Sequence, residues 1–311
     1  MANSPYPIDP ALTSVVIGFK NEDLVADRVL PRMPVAKQEY KYMTLDERDM
    51  YSIPETAVGR KGVPSEVNFG GTETTGTCEN YALKESVPQG DVENADSRYD
   101  PLGRAAEGVQ ALLDLSREQR TSTLVFTAGN YPTANKATLS GTTQWSHASS
   151  DPVNAILAAL DIPLVRPNVM VLGQEVWTKL RQHAKIIAAV SMTGGNAATG
   201  GVAMRQAVAE LFELDEIIVG KSWLNTAKKG QTNSFSRVWG KHAALLRRDM
   251  TPNANRINTF GFTASWMGPT AYRWFDPDPG VGGATVVKVG DSTDEVICAS
   301  GLGYLFTDAV A

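Results

Sequence analysis

Three histidines, His147, His183 and His242, are the residues best suited to proton transfer or metal ligation in this chain of 311 residues. None has a second His, Cys or acid at the spacing that places two ligands on one helical face, so a zinc site is not expected. The run WSHASSD at 145–151 sets Ser149, Ser150 and Asp151 beside His147. A nucleophile, base and orienting acid act through spatial geometry, and neighbours in sequence seldom supply it. MTGGNAATGG at 192–201 has the composition of a phosphate cradle but lacks the Lys-Ser/Thr that grips phosphate, Gly201-Val202 standing there instead. Gly301-Leu302-Gly303 is no dinucleotide fingerprint, because a strand follows it rather than a helix. Asp276 and Asp278 flank Pro277 and precede Pro279-Gly280, which reads as a rigid turn. Cys78 and Cys298 are expected as free thiols. No catalytic, metal or cofactor site is predicted.

Tryptophans 223, 239, 266 and 274 stand beside a basic window and could stack bases, although core positions in strands are the commoner reason for such residues. That window, 228–273, holds eight Lys or Arg against Asp249 alone, a net of +7. Residues 1–100 hold ten Lys or Arg and seventeen Asp or Glu, a net of −7. The whole chain is −5, so the segregation is internal and argues against a general nucleic-acid binder. Hydrophobic residues at 42% and charged residues at 20% describe a globular chain, and no apolar run is long enough to span a membrane. The N-terminus lacks the pattern of a signal peptide.

The elements that would position these residues come in a distinct order. Residues 1–36 read as an arm, with Pro5, Pro7 and Pro10 opposing a helix and Asn21 capping a short one that Pro31 and Pro34 end. Residues 37–46 read as a strand with Tyr40 and Tyr42 on one face. The polar, Thr-, Gly- and Glu-rich stretch 55–87 reads as a long hairpin with too little apolar surface to fold alone. Asp100-Pro101 starts a helix running to about residue 127, roughly 40 Å long. A polar loop follows at 129–150. From Asp151-Pro152 helices alternate with strands: a helix to Asp161, a strand at Val169–Leu172, helices at Gln174–His183 and Val202–Leu214, and a strand at Ile217–Val219. After about residue 236 the chain reads as strands at 238–247, 259–267, 271–275, 284–289, 294–299 and 302–306. The class is α+β.

Arm, polar hairpin, long helix and late strands, in that order, resemble the major capsid proteins of tailed bacteriophages with the Hong Kong 97-type fold. The stretches that carry the resemblance are NEDLVADRVLPRMPV at 21–35, the polar 55–87 region, YALKESVP at 81–88, the helix after Asp100, QWSHASSDPVNAI at 144–156 and PNVMVLGQEVWTKLRQH at 167–183. The resemblance implies an N-terminal arm (1–36), a strand and E-loop hairpin (37–87), a P-domain with a spine helix (88–150), an A-domain (151–255), and P-domain strands with the C-terminus (256–311). It implies self-assembly into hexamers and pentamers of an icosahedral head enclosing double-stranded DNA, in the host bacterial cytoplasm. The implied partners are further copies of the chain, portal, scaffold and decoration proteins, and packaged DNA met non-specifically at the inner face, with no membrane. Some family members cross-link an E-loop Lys to an Asn of another subunit; Lys61 lies in that region, but no partner or assisting acid can be matched. No scaffold segment is expected ahead of the arm. Two alternatives remain open: an encapsulin-like bacterial compartment, and an enzyme using 192–201 as a lid.

The charge segregation gives the site expectation. Acids of the arm or E-loop, namely Glu22, Asp23, Glu66 and Glu73, are expected to meet Arg247, Arg248 or their neighbours across a subunit interface. The rival arrangement turns the basic residues inward toward DNA.

Overall fold

Two Asp-Pro pairs start helices as their chemistry requires, and a third does the same. A computed structural model describes residues 6–45, 53–66, 71–96, 99–194, 198–199, 201–228, 230–250 and 258–311. The Asp100 carboxylate accepts from the Leu102 N–H, and Pro101 opens the spine helix Pro101–Phe126. Asp151 caps Pro152–Leu160 through the Asn154 N–H. Asp9 caps a helix at Pro10–Gly18, accepting from the Ala11 and Leu12 N–H groups. The expectation that Pro10 opposes a helix is therefore corrected. A proline at the first helical position removes only an N–H that would have had no helical partner.

The arm expectation changes a second time at Asn21. Its side chain accepts from the Asp23 N–H and closes a turn, and the short helix starts later, at Ala26–Val29. Among the described residues the arm lies on its own chain. Leu12 and Val16 are buried with Val109 and Leu113 of the spine helix and Val287 and Val289. Arg32–Pro34 pairs in parallel with Thr263–Ser265.

That pairing opens a four-stranded sheet dominated by a ribbon. The separate strands expected at 259–267 and 271–275 are one strand, Gly261–Asp276, with irregular register between Ser265 and Thr270. Those at 284–289 and 294–299 are likewise one strand, Ala284–Ile297, antiparallel to the first. Glu79–Pro88 forms the other edge of the sheet. The hairpin expected within 55–87 is also corrected: Gly71–Thr77 pairs with Glu39–Leu45, and Cys78 then passes the chain to the edge strand. Tyr40 and Tyr42 do share a face, packed on Phe262.

A five-stranded sheet completes the molecule, in the order Lys136–Thr138, Gly303–Thr307, Ala243–Leu246, Val169–Gly173, Glu216–Gly220. It draws strands from three of the expected segments, 88–150, 151–255 and 256–311. Its central strands are buried along their whole length, as sheets covered on both faces require. One face packs on Trp145, Ile156, Leu180, Ile186 and Phe212. The 238–247 strand is shorter than expected, because Trp239-Gly240 breaks the chain between Phe235–Arg237 and Ala243–Leu246. The 202–214 helix is confined to Arg205–Leu211, after a two-residue strand Val202–Ala203 that pairs with Ala198–Thr199. An unexpected helix, Ala184–Gly194, runs into the Gly-rich loop, of which residues 195–197 and 200 lie outside the described set.

Candidate assembly surfaces

The spine helix buries a stripe that starts apolar and ends charged. Ala105, Ala106, Val109 and Leu113 give way to Arg117, Glu118, Thr121 and Ser122 at the same helical spacing. Glu118 is fully buried, and its carboxylate accepts from the N–H groups of Val25 (2.9 Å) and Ala26 (2.7 Å) and from Trp239 Nε1 (2.5 Å). The first turn of the short arm helix thus takes its acceptor from the spine helix rather than from a cap of its own. Trp239 reaches Glu118 because position 220 is glycine: a Cβ there would lie 2.0 Å from the indole ring. Burial pushes the Glu118 carboxyl up, and the three donors and Arg117 pull against that rise.

Beside it, Arg117 meets Asp27 of the arm at 2.6 Å. Arg120 grips Glu295 of the ribbon with two hydrogen bonds of 3.0 Å and lies 3.7 Å over the Tyr81 ring. Arm, spine and ribbon are thereby joined through charge-assisted bonds, and the edge strand through a cation–π contact. Burial acts on Asp27, but the Arg117 and Arg32 guanidiniums outweigh it and hold its carboxyl below the ordinary value. The sequence reading missed Arg117, Glu118 and Arg120. The signal was available in the helical stripe, where charged residues occupy positions that the spacing marks as inward-facing.

The residues singled out for chemistry have structural partners. Ser149 Oγ lies 2.7 Å from His147 Nδ1 and Ser150 Oγ lies 3.1 Å from His183 Nε2, while Asp151 binds the Asn154 amide and Lys185. Nucleophile and base are therefore separated from the acid that would orient them. Burial pushes the Cys298 thiol up to about 12 and raises Cys78 as well, so neither is a thiolate near neutrality. Trp239 is buried and Trp223 is half exposed.

The six charges expected at an interface are dispersed. Glu22 and Asp23 are exposed on the Asn21 turn, and Glu66 is exposed in the segment 53–66. Glu73 binds Lys41 of its own chain at 2.8 Å. Arg248 binds the Arg28 carbonyl and Glu216, which also binds Arg28, so its charge is engaged between arm and five-stranded sheet. Arg247 has no carboxylate within ion-pair distance among the described residues.

The segment 53–66 is exposed throughout and outside any strand; it turns where the Gly62 N–H donates to the Gly59 carbonyl and folds back so that Ser65 Oγ donates to the Glu55 carbonyl. Ile53 and Val63 keep 88% and 91% of their surface in water and Val58 keeps 47%. Isolated exposed apolar residues are ordinary, but three on one limb make it a candidate contact surface.

Arm, long helix, hairpin limb and two sheets in this arrangement define a viral shell fold of the Hong Kong 97 type. The profile of the family described as "Phage major capsid protein E" matches residues 125–257. The major capsid protein of Pseudomonas phage JBD67 is 44% identical over 311 residues, covering all of both chains. A phage-related protein from Bordetella bronchiseptica RB50 superposes with a TM-score of 0.76 at 21% identity, over 98% of this chain and 99% of that one. The capsid of cyanophage P-SCSP1u gives 0.60 at 10% identity, over 90% and 86%. The chain belongs to the phage major capsid protein family. The SrpI encapsulin of Synechococcus elongatus PCC 7942 shares the fold, with a TM-score of 0.57 at 9% identity, but not the sequence, and the compartment alternative is the weaker one.

Proposed function

We propose that copies of this chain assemble into hexamers and pentamers that close an icosahedral head around double-stranded DNA, within the cytoplasm of a bacterial host. The observation that carries this reading is the limb 53–66, whose Ile53, Val58 and Val63 have no core of their own to enter. Burying three such side chains on a neighbour contributes about 1.5–3 kcal/mol each, repeated at every subunit contact. In this reading 1–36 is the arm, 37–87 the strand and E-loop, 88–150 with 256–311 the P-domain, and 151–255 the A-domain. Glu22, Asp23 and Glu66 remain open to a neighbour's Arg247. Portal, scaffold and decoration proteins, and DNA at the inner face, are the further partners it implies, and its work is structural rather than catalytic.

Replacing 53–66 by a short Gly-Ser linker tests the reading. The variant should keep the circular-dichroism spectrum and cooperative melt of the parent subunit, yet form no shells by light scattering or electron microscopy. Shells of normal size from the linker variant would remove the limb from assembly. A parent chain that stays monomeric at every concentration and salt would remove the reading itself.

A further inference from the structure

The stretch between Glu216 and Asp249 contains no acid. Within it Trp223–Asn225 and Phe235–Arg237 pair as an isolated two-stranded ribbon, exposed along most of its length. Trp223 and Phe235 keep 50% and 62% of their surface in water. The ribbon is nevertheless held in shape. Arg237 lies 3.9 Å over the Trp223 ring and donates to the Lys221 carbonyl, and the Asn225 carboxamide accepts from the Ala227 and Ser234 N–H groups to close the turn. Lys221 and Lys228 are exposed beside it. Rigid, exposed aromatic residues flanked by cations are the composition of an interface anchor.

A groove of the opposite character lies between the edge strand, the short helix Gln89–Glu93 and the first half of the spine helix. It is open to solvent and offers about 1090 Å³. Glu85, Asp91, Asp96 and Glu107 line it against one described base, Arg104, with Val87, Tyr99 and Ala105 as an apolar lining. No described residue of the ribbon lines the groove of its own subunit.

We propose that the Trp223–Arg237 ribbon of one copy docks in the acidic groove of a second copy, its aromatic rings on the apolar lining and Lys221 and Lys228 against Asp91 and Glu107. The proposal rests on the shell reading, which supplies many copies of the same chain. Ribbon and groove are different patches, so the contact is head-to-tail and closes into a ring when the rotation between copies permits. Charge complementarity selects a second copy over DNA phosphates as occupant, since the groove's acids would repel phosphate and attract the ribbon's cations.

Charge exchange at exposed positions tests it. Lys221→Glu with Lys228→Glu, and separately Asp91→Lys with Glu107→Lys, should each lower the yield of empty shells by about tenfold or more. The two pairs combined should recover most of that loss. In parent background, Lys228→Cys with Glu107→Cys should form an inter-subunit disulfide in assembled shells and none in free subunits. Normal shells from both reversed variants without that cross-link would overturn the proposal. Normal empty shells that fail only to retain DNA would overturn it too, assigning the ribbon to nucleic acid. Failure of the parent chain to form shells would be a failure of the shell reading, visible before any variant is made.

Discussion

The five-stranded sheet and the junction under the arm both bury large side chains, by opposite means. Around the sheet Trp145, Phe212, Ile186 and Phe306 fill space against one another with little directional chemistry. At the junction Glu118 and Arg117 are just as enclosed, Glu295 and Arg120 are partly so, and each is oriented by specific donors and acceptors. An apolar core is satisfied by shape and volume, so near-isosteric packings compete within it. A buried carboxylate with four donors, Ser222 Oγ at 3.5 Å being the fourth, accepts one placement of the arm, because any other leaves its charge unpaired. Packing gives the sheet its stability, and charge gives the arm its position.

Truncation should break the junction hardest. Glu118→Ala strands the Val25, Ala26 and Trp239 donors beside Arg117, and should cost about 3–5 kcal/mol in chemical denaturation of the subunit. A loss under about 1 kcal/mol would show that water replaces the carboxylate and that the junction is not selective. Conservative changes sharpen the contrast. Ile186→Leu should cost less than about 1.5 kcal/mol. Glu118→Gln, equally close in size, should cost about 1–3 kcal/mol, because its NH₂ is turned toward groups that are themselves donors.

The double reversal Arg247→Glu with Arg248→Glu would confound interface and fold, since Arg248 already binds Glu216 and the Arg28 carbonyl. Arg247→Glu alone is the cleaner change. It should lower assembly in low salt with little change in subunit melting temperature, and an acid-to-Lys change at Glu22 or Glu66 should partly restore it. Acid should loosen the arm more than the sheet. Asp27 titrates below its ordinary 3.8 in the folded chain, so its contribution is present above that value and is lost as pH falls through the lower folded one. Melting temperature followed from pH 5 downward should therefore fall less steeply for Asp27→Asn than for the parent; parallel curves would remove Asp27 from the junction's pH response. The smallest effect belongs to the exposed Lys41–Glu73 pair on the hairpin, where Lys41→Ala should leave the melting temperature within error.

Local chemistry was legible in the sequence, and long-range partnership was not. Asp100-Pro101 and Asp151-Pro152 announced their helices because cap and first turn are adjacent in the chain. Asp9-Pro10 carries the same signal, but it was submerged among Pro5, Pro7 and Pro10 read together as a break. The Thr-rich 71–77 stretch was legible as a strand but not in its pairing, since an almost wholly polar strand carries no alternation to fix its partner or register. The junction was illegible for a different reason: Glu118 finds its donors 93 residues upstream and 121 residues downstream. Charged residues on a helix read as a solvent face until the elements covering them are known. Intramolecular partners were equally hidden for two of the expected interface charges, Glu73 and Arg248, which are engaged inside their own subunit.

The position of Gly303–Thr307 between Lys136–Thr138 and Ala243–Leu246 has a kinetic consequence. The five-stranded sheet closes only after residues beyond 300 have been made, and the arm settles only after residues beyond 260. At about 5–20 residues per second of synthesis, the nascent chain spends many seconds without its finished contact surfaces. Contacts of such high sequence separation fold slowly. The arm and the five-stranded sheet therefore stay unfinished, and withheld from any neighbour, until their late partner strands exist.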